Sequence, residues 1–102
     1  MTDLLATARA WVDADPDPQT KAQGEALIAS GDEDAIRDHF GQRLAFGTAG
    51  LRGRLGPGPN RMNRALVRQV AAGLGLYLRE RAEDAATRGV VIGFDGRHGS
   101  RE

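Results

Sequence analysis

Residues 46–63 read FGTAGLRGRLGPGPNRMN, and the rest of the chain has to be read around them. The stretch holds five glycines, two prolines and three arginines, with no acidic residue. Glycine lets main-chain N–H groups approach a ligand closely, and arginine presents a planar fork of donors that matches phosphate or carboxylate. Together they point to a loop that meets an anion. A glycine-rich surface turn with solvated arginines is the simpler alternative.

Charge placement favours the anion. The chain has 102 residues and zero formal net charge, yet residues 1–38 carry nine acids against three bases. Residues 39–79 then hold seven arginines and no acid. Thirteen arginines stand against one lysine, a ratio that GC-rich coding would explain; it would not explain the missing acids. Spacing excludes two familiar phosphate loops. No glycine precedes a lysine, so there is no Walker A motif, and Gly56 and Gly58 begin a GxGxxG whose third position is Arg61. Gly73 opens a second, equally incomplete version inside a helical stretch.

Composition narrows the class. With 40 % hydrophobic and 27 % charged residues the chain is a globular domain or part of one. The absence of cysteine excludes a disulfide scaffold and a thiolate metal site. His39 and His98 are far apart and lack ligand spacing, so no metal site is expected. No apolar run approaches the roughly 18 residues of a membrane span, and the acidic N-terminus is unlike a signal peptide. No membrane association is expected, and the cytoplasm is the default compartment.

Upstream of the loop the pattern is helical. Residues 3–14 put Leu4, Leu5, Ala8, Trp11 and Val12 on one stripe, with Thr2 as N-cap and DADPDP as terminator. Trp11 reads as a packing anchor. Thr20 and Gln23 have capping-box spacing, which predicts a second helix from Thr20 to the Ser30-Gly31 stop. A third opens at Asp32, carries Glu33 and Asp34 in its first turn, turns Ile36 and Phe40 inward and ends near Gly41. These helices offer packing and no chemistry.

Downstream, a short strand over residues 43–46 leads into the loop, and GPGP stiffens its exit. Asn63 is the N-cap of a long helix to about Glu83, with Leu66, Val67, Val70, Ala71, Leu74 and Leu78 as its buried stripe. Gly73 and Gly75 inside it imply close packing against another backbone, since each costs about 1 kcal/mol relative to alanine. Residues 90–94, VVIGF, read as a central strand covered on both faces. The turn DGRHGS follows, and Ser100 is placed as the N-cap of a further helix. A central strand short of partners and a cap without its helix lead us to expect the N-terminal part of a longer protein.

These residues carry a resemblance. FGTAGLRG, the following RMN, a long helix and VVIGFDGRHGS resemble the opening of the α-D-phosphohexomutase superfamily, the phosphoglucomutases and phosphomannomutases. WVDADPDPQT is most similar to the phosphoglucomutase/phosphopentomutase branch. The resemblance implies an α/β fold. It makes residues 1–41 a helical N-terminal extension and residues 42–102 the start of an incomplete α/β/α domain I. It also implies a four-domain enzyme that moves a phosphoryl group between the 1-position and the terminal hydroxyl of a sugar phosphate. A phosphoserine, magnesium and a sugar bisphosphate activator serve that reaction. Carried onto this chain, it makes Arg52 the catalytic arginine beside the phosphoserine, and Thr48, Gly50 and Gly53 the phosphate-binding loop around it. Asp95 and Arg97 are given a structural role near the site.

Several family parts are absent from the sequence. There is no TASHNP-type serine loop and no DGDxDR-type magnesium loop, so metal ligands are not expected here. The expected partners are a phosphorylated sugar and the later domains of the full-length enzyme, and the isolated chain is expected to be inactive. Two other readings stay open. One is a standalone phosphate- or anion-binding module without catalysis. The other is a nucleic-acid binder using the arginine block, which the zero net charge and the few aromatics near it argue against.

Overall fold

Three helices pack on one another, the first through Ala8 and Val12, the second through Thr20, Gly24 and Ile28, and the third through Ile36 and Phe40. They are α1 (Thr2–Ala14), α2 (Pro18–Ser30) and α3 (Glu33–Phe40) in a computed structural model that describes residues 2–48, 50–97 and 99–101. The chain divides after Gln69 into two units. The first unit has a core of Ala8, Val12, Ile28, Ile36 and Phe40, with Leu4, Leu5, Trp11 and Leu27 packed against it. Trp11 therefore anchors α1 as expected, although its buried indole Nε1 makes no hydrogen bond among the described residues. Asp32 caps α3 through the amide of Ala35 at 3.2 Å.

The start of α2 differs from the expectation. Asp17, not Thr20, is the N-cap, accepting from the amide of Gln19 at 3.0 Å, and Pro18 opens the helix. Proline suits that first position because its fixed φ is already helical and the N–H it lacks would have no partner there. Thr20 is instead turned inward, and its hydroxyl donates to Asp15 Oδ2 at 2.7 Å. The other oxygen of this buried carboxylate takes the amide of Asp17 at 2.9 Å.

The expected strand at residues 43–46 is also displaced. The observed pair is β1 (Phe46–Gly47) against β2 (Gly50–Leu51), antiparallel, with Phe46 opposite Leu51 and Gly47 opposite Gly50. Residues 43–45 do not pair as a strand because Leu44 gives its N–H to the carbonyl of Pro59, at 2.9 Å.

Helix α4 (Arg64–Arg81) starts where the sequence placed it, with the amide of Leu66 donating to Asn63 Oδ1 at 2.8 Å. Its stripe is not buried as predicted. Leu66 is fully buried, but Val67 and Leu74 are about half exposed. Nothing lies within 4 Å of a Cβ added at Gly73 or Gly75, so the close backbone approach inferred there is absent among the described residues. The second unit adds the short α5 (Ala85–Arg88) and residues 90–94, which form no strand. Val91 and Ile92 are 101 % and 85 % exposed. A strand needs a neighbour for its N–H and C=O groups, and this segment has none among the described residues. No described helix is long and apolar enough to cross a membrane.

Candidate functional site

The glycine-rich stretch has two parts with different physical characters. Its second part, residues 54–63, is a tightly bonded knob. Pro57, Gly58 and Pro59 are buried, and Asn63 donates its side-chain amide to the carbonyls of Gly56 and Gly58, both at 2.8 Å. Gly58 has φ +98°, and a Cβ there would lie 2.3 Å from the carbonyl oxygen of His39. Only glycine meets both conditions. Met62 donates to the carbonyl of Arg54 at 2.7 Å, and Leu55 and Met62 form an isolated parallel bridge.

The knob sits on the C-terminal end of α3. Asn60 gives its backbone N–H to the carbonyl of His39 at 3.1 Å and its side-chain amide to that of Asp38 at 2.7 Å. His39 Nδ1 lies 2.9 Å from the carbonyl of Pro57. A carbonyl can only accept, so Nδ1 carries the proton. Arg61 pairs with the Asp38 carboxylate while also donating to the carbonyl of Asn60 at 3.0 Å. The hydrogen bond and charge of Arg61, reinforced by His39 and Arg54, hold the Asp38 carboxyl below its ordinary value. One arginine of the acid-free block thus faces inward rather than toward an anion. Nothing in its local spacing distinguishes it from its neighbours.

The first part, residues 46–53, is the exposed hairpin. Thr48, Gly50, Arg52 and Gly53 are all exposed on it. Gly50 has φ +91°, the conformation that closes so short a turn. A Cβ added at Gly53 would lie 2.6 Å from Leu44 Cδ1, so the Leu44 side chain would have to move to admit one. The guanidinium of Arg52 makes no hydrogen bond or ion pair among the described residues, and the same holds for exposed Arg43. Ala49, and with it the middle of the GTAGL string, lies outside the described residues, as does His98.

In the second unit, Asp95, Arg97 and Ser100 close a turn on themselves. Asp95 Oδ1 accepts the amide of Arg97 at 3.1 Å, its Oδ2 takes Arg97 Nε at 2.8 Å, and Ser100 Oγ accepts the amide of Asp95 at 3.0 Å. The backbone amide of Arg97, then the Ser100 hydroxyl and the Arg97 side chain, lower the Asp95 carboxyl below its ordinary value. Ser100 thus ties the end of this turn back to Asp95, and the residues a cap at Ser100 would serve lie outside the described ones. Among the described residues no three His, Cys, Asp or Glu side chains converge so as to hold a metal ion.

Comparison with known proteins bears on the whole stretch. Residues 43–102 match the sequence profile of "Phosphoglucomutase/phosphomannomutase, alpha/beta/alpha domain I". Phosphopentomutase of Mus musculus is 42 % identical over 87 residues, covering 85 % of this chain and 14 % of that protein. Phosphoribomutase of Saccharomyces cerevisiae is 35 % identical over 101 residues, covering 99 % of this chain and 16 % of that protein. Glucose 1,6-bisphosphate synthase of Homo sapiens is 39 % identical over 87 residues, 85 % of this chain and 14 % of its own length. The chain thus spans about a seventh of the curated relatives it matches. No solved structure matches it. By its profile and its relatives, the chain belongs to the phosphoglucomutase/phosphomannomutase family.

Proposed function

We propose that this chain supplies the arginine hairpin of a phosphosugar mutase. The reaction moves a phosphoryl group between the 1-position and the terminal hydroxyl of a hexose or pentose phosphate. The observation that carries the reading is Arg52: an exposed guanidinium with no partner among the described residues, on a short hairpin flanked by two hydrogen-bonded residues, Leu44 and Arg54. A fixed fork of donors with no internal partner is suited to a transferring phosphoryl group, whose charge is spread over several oxygens. Exposed Thr48 and Gly50 lie on the same hairpin and would shape the approach of the phosphate. The names of two relatives, phosphopentomutase and phosphoribomutase, favour a pentose phosphate.

Magnesium and a sugar bisphosphate, which the resemblance implies, have no cradle here. The carboxylates of Asp38 and Asp95 are engaged by Arg61 and Arg97, and no metal-holding cluster exists among the described residues. No step is derived through them. With no serine loop of the TASHNP type in the sequence, the segment alone is expected to show no turnover. A non-catalytic anion-binding module is the second reading, favoured by the first unit having a core of its own.

The test is made in the full-length protein that carries this segment. Arg52→Ala should lower kcat on the order of a hundred- to a thousandfold, the usual effect of losing one preorganised donor. Arg52→Lys should recover only part, because it keeps the charge and loses the fork. Arg54→Ala should matter far less. Equal losses from the two alanine variants would remove Arg52 from the reaction centre.

A further inference from the structure

We propose that Asp38 and Arg61 are positioning residues for Arg52, so that the end of α3 sets where the arginine hairpin stands. The inference rests on the reading of Arg52 given above and extends it to the N-terminal helices, which the sequence credited with packing alone.

The connection can be followed bond by bond. The residues that flank the hairpin are both held: Leu44 N–H bonds to Pro59 C=O of the knob at 2.9 Å, and Arg54, where the hairpin enters the knob, accepts the Met62 N–H at 2.7 Å. Leu44 also fills the space that a Cβ at Gly53 would need. The knob in turn is fixed to α3 by the Arg61–Asp38 ion pair, by both Asn60 contacts, and by His39 Nδ1 on the carbonyl of Pro57. Leu44 and Arg54, which flank the hairpin, therefore cannot be displaced without breaking one of the two hydrogen bonds to Pro59 and Met62. The Arg61 side chain is only 10 % exposed while Asp38 is 60 % exposed, so the pair is anchored from the arginine's side. Without the Asp38 carboxylate, a nearly buried guanidinium keeps only the carbonyls of Asn60 at 3.0 Å and Asp38 at 3.4 Å and loses its charged partner, which leaves the knob freer to shift on α3. A shift of that kind reaches the hairpin through Met62 and Pro59. The titratable and charged groups that face this contact are Asp38 and His39 from α3, and Arg54 and Arg61 from the loop.

The experiment uses the full-length protein and two readouts. Amide hydrogen exchange at Leu44 and Met62 reports those two hydrogen bonds directly. Steady-state phosphoryl transfer reports Arg52. Asp38→Asn and Arg61→Gln should each speed exchange at both amides and lower kcat about tenfold or more with KM moved less than about twofold, as misplacement of a catalytic group does. The double variant should be no worse than either single one, because the two side chains act as one contact. Asp38→Glu should restore most of the rate. Thr20→Val, which removes a buried hydrogen bond in α2, serves as the stability control and should leave kcat unchanged.

If Asp38→Asn keeps normal kcat while Arg52→Ala loses it, the positioning proposal is wrong and the mutase reading stands. If Arg52→Ala keeps kcat, the mutase reading fails. Unchanged exchange at Leu44 and Met62 in Asp38→Asn then overturns the clamp, and faster exchange supports it. Should Asp38→Asn not fold, Asn60→Ala, which removes one hydrogen bond from the same contact, is judged by the same two readouts.

Discussion

Gly24 lies in the middle of α2, where a glycine is ordinarily a defect. An added Cβ would sit 2.6 Å from Val12 Cγ2 and 3.6 Å from both Phe40 and Pro57. Two opposing terms decide what Gly24→Ala does. Helix propensity favours alanine by about 1 kcal/mol, and overpacking a filled core costs about 1–3 kcal/mol. Val12 is β-branched and 2 % exposed, so it cannot swing aside, and the clash wins. Gly24→Ala should therefore lower the melting temperature. Gly73→Ala and Gly75→Ala, where nothing lies within 4 Å, should raise the helical stability of α4 by about 1 kcal/mol each. A thermal melt followed by circular dichroism orders the three variants, and a stabilising Gly24→Ala would contradict the packing described. The residue scale also shows what a sequence hides. Asp15 looks like one of several acids in a linker, yet it is the buried acceptor that turns Thr20 inward. Composition does not separate it from Asp13 or Asp17.

Among the elements, those that depend on neighbours within a few residues were legible. The three N-terminal helices (apart from the start of α2), the cap at Asn63 and the presence of a turn at DGRHGS each follow from short-range hydrogen bonds or helical periodicity, although the bond from the Asp95 amide to Ser100 was not legible. The strand predicted at residues 90–94 was not, because its pattern reports affinity for a sheet and not the presence of one. The Asp38–Arg61 contact was equally hidden, spanning 23 positions between two elements with no shared motif. That contact gives α3 and the loop a pH dependence whose sign is fixed. The Asp38 carboxyl is held below its ordinary value of 3.8 by Arg61, so its contribution is complete above that value and is lost as pH falls through the lower, folded one. On acidification from about pH 5, the protection of the Met62 amide should fall more steeply in the parent protein than in Asp38→Asn, which has already lost the contact. Parallel acid limbs would mean that the ion pair does not hold the loop.

At the scale of the whole molecule, the chain shows a large amount of apolar side chain to water for its size. Leu76 and Tyr77 on α4, and Val90, Val91, Ile92 and Phe94 beyond it, are all more than half exposed. Burial of a large aliphatic or aromatic side chain is worth about 1.5–3 kcal/mol, so each of these forgoes stabilisation that the inner residues of the first unit receive. The segment VVIGF is also short, β-prone and uncharged, with its backbone unpaired among the described residues. Such a stretch is a template for association with another chain. The 102-residue chain should therefore bind a hydrophobic dye and self-associate with rising concentration, while the first unit keeps its helical signal. A lysine within the segment opposes stacking by charge repulsion without touching the core formed by Ala8, Val12, Ile28, Ile36 and Phe40. Val91→Lys and Ile92→Lys should thus reduce dye binding and shift the sedimentation profile toward the monomer, with the melting of α1–α3 unaltered. Dye binding that persists unchanged in both variants would place the sticky surface elsewhere. A parent chain that is monomeric and dye-silent at high concentration would show that the exposed apolar segment does not drive association.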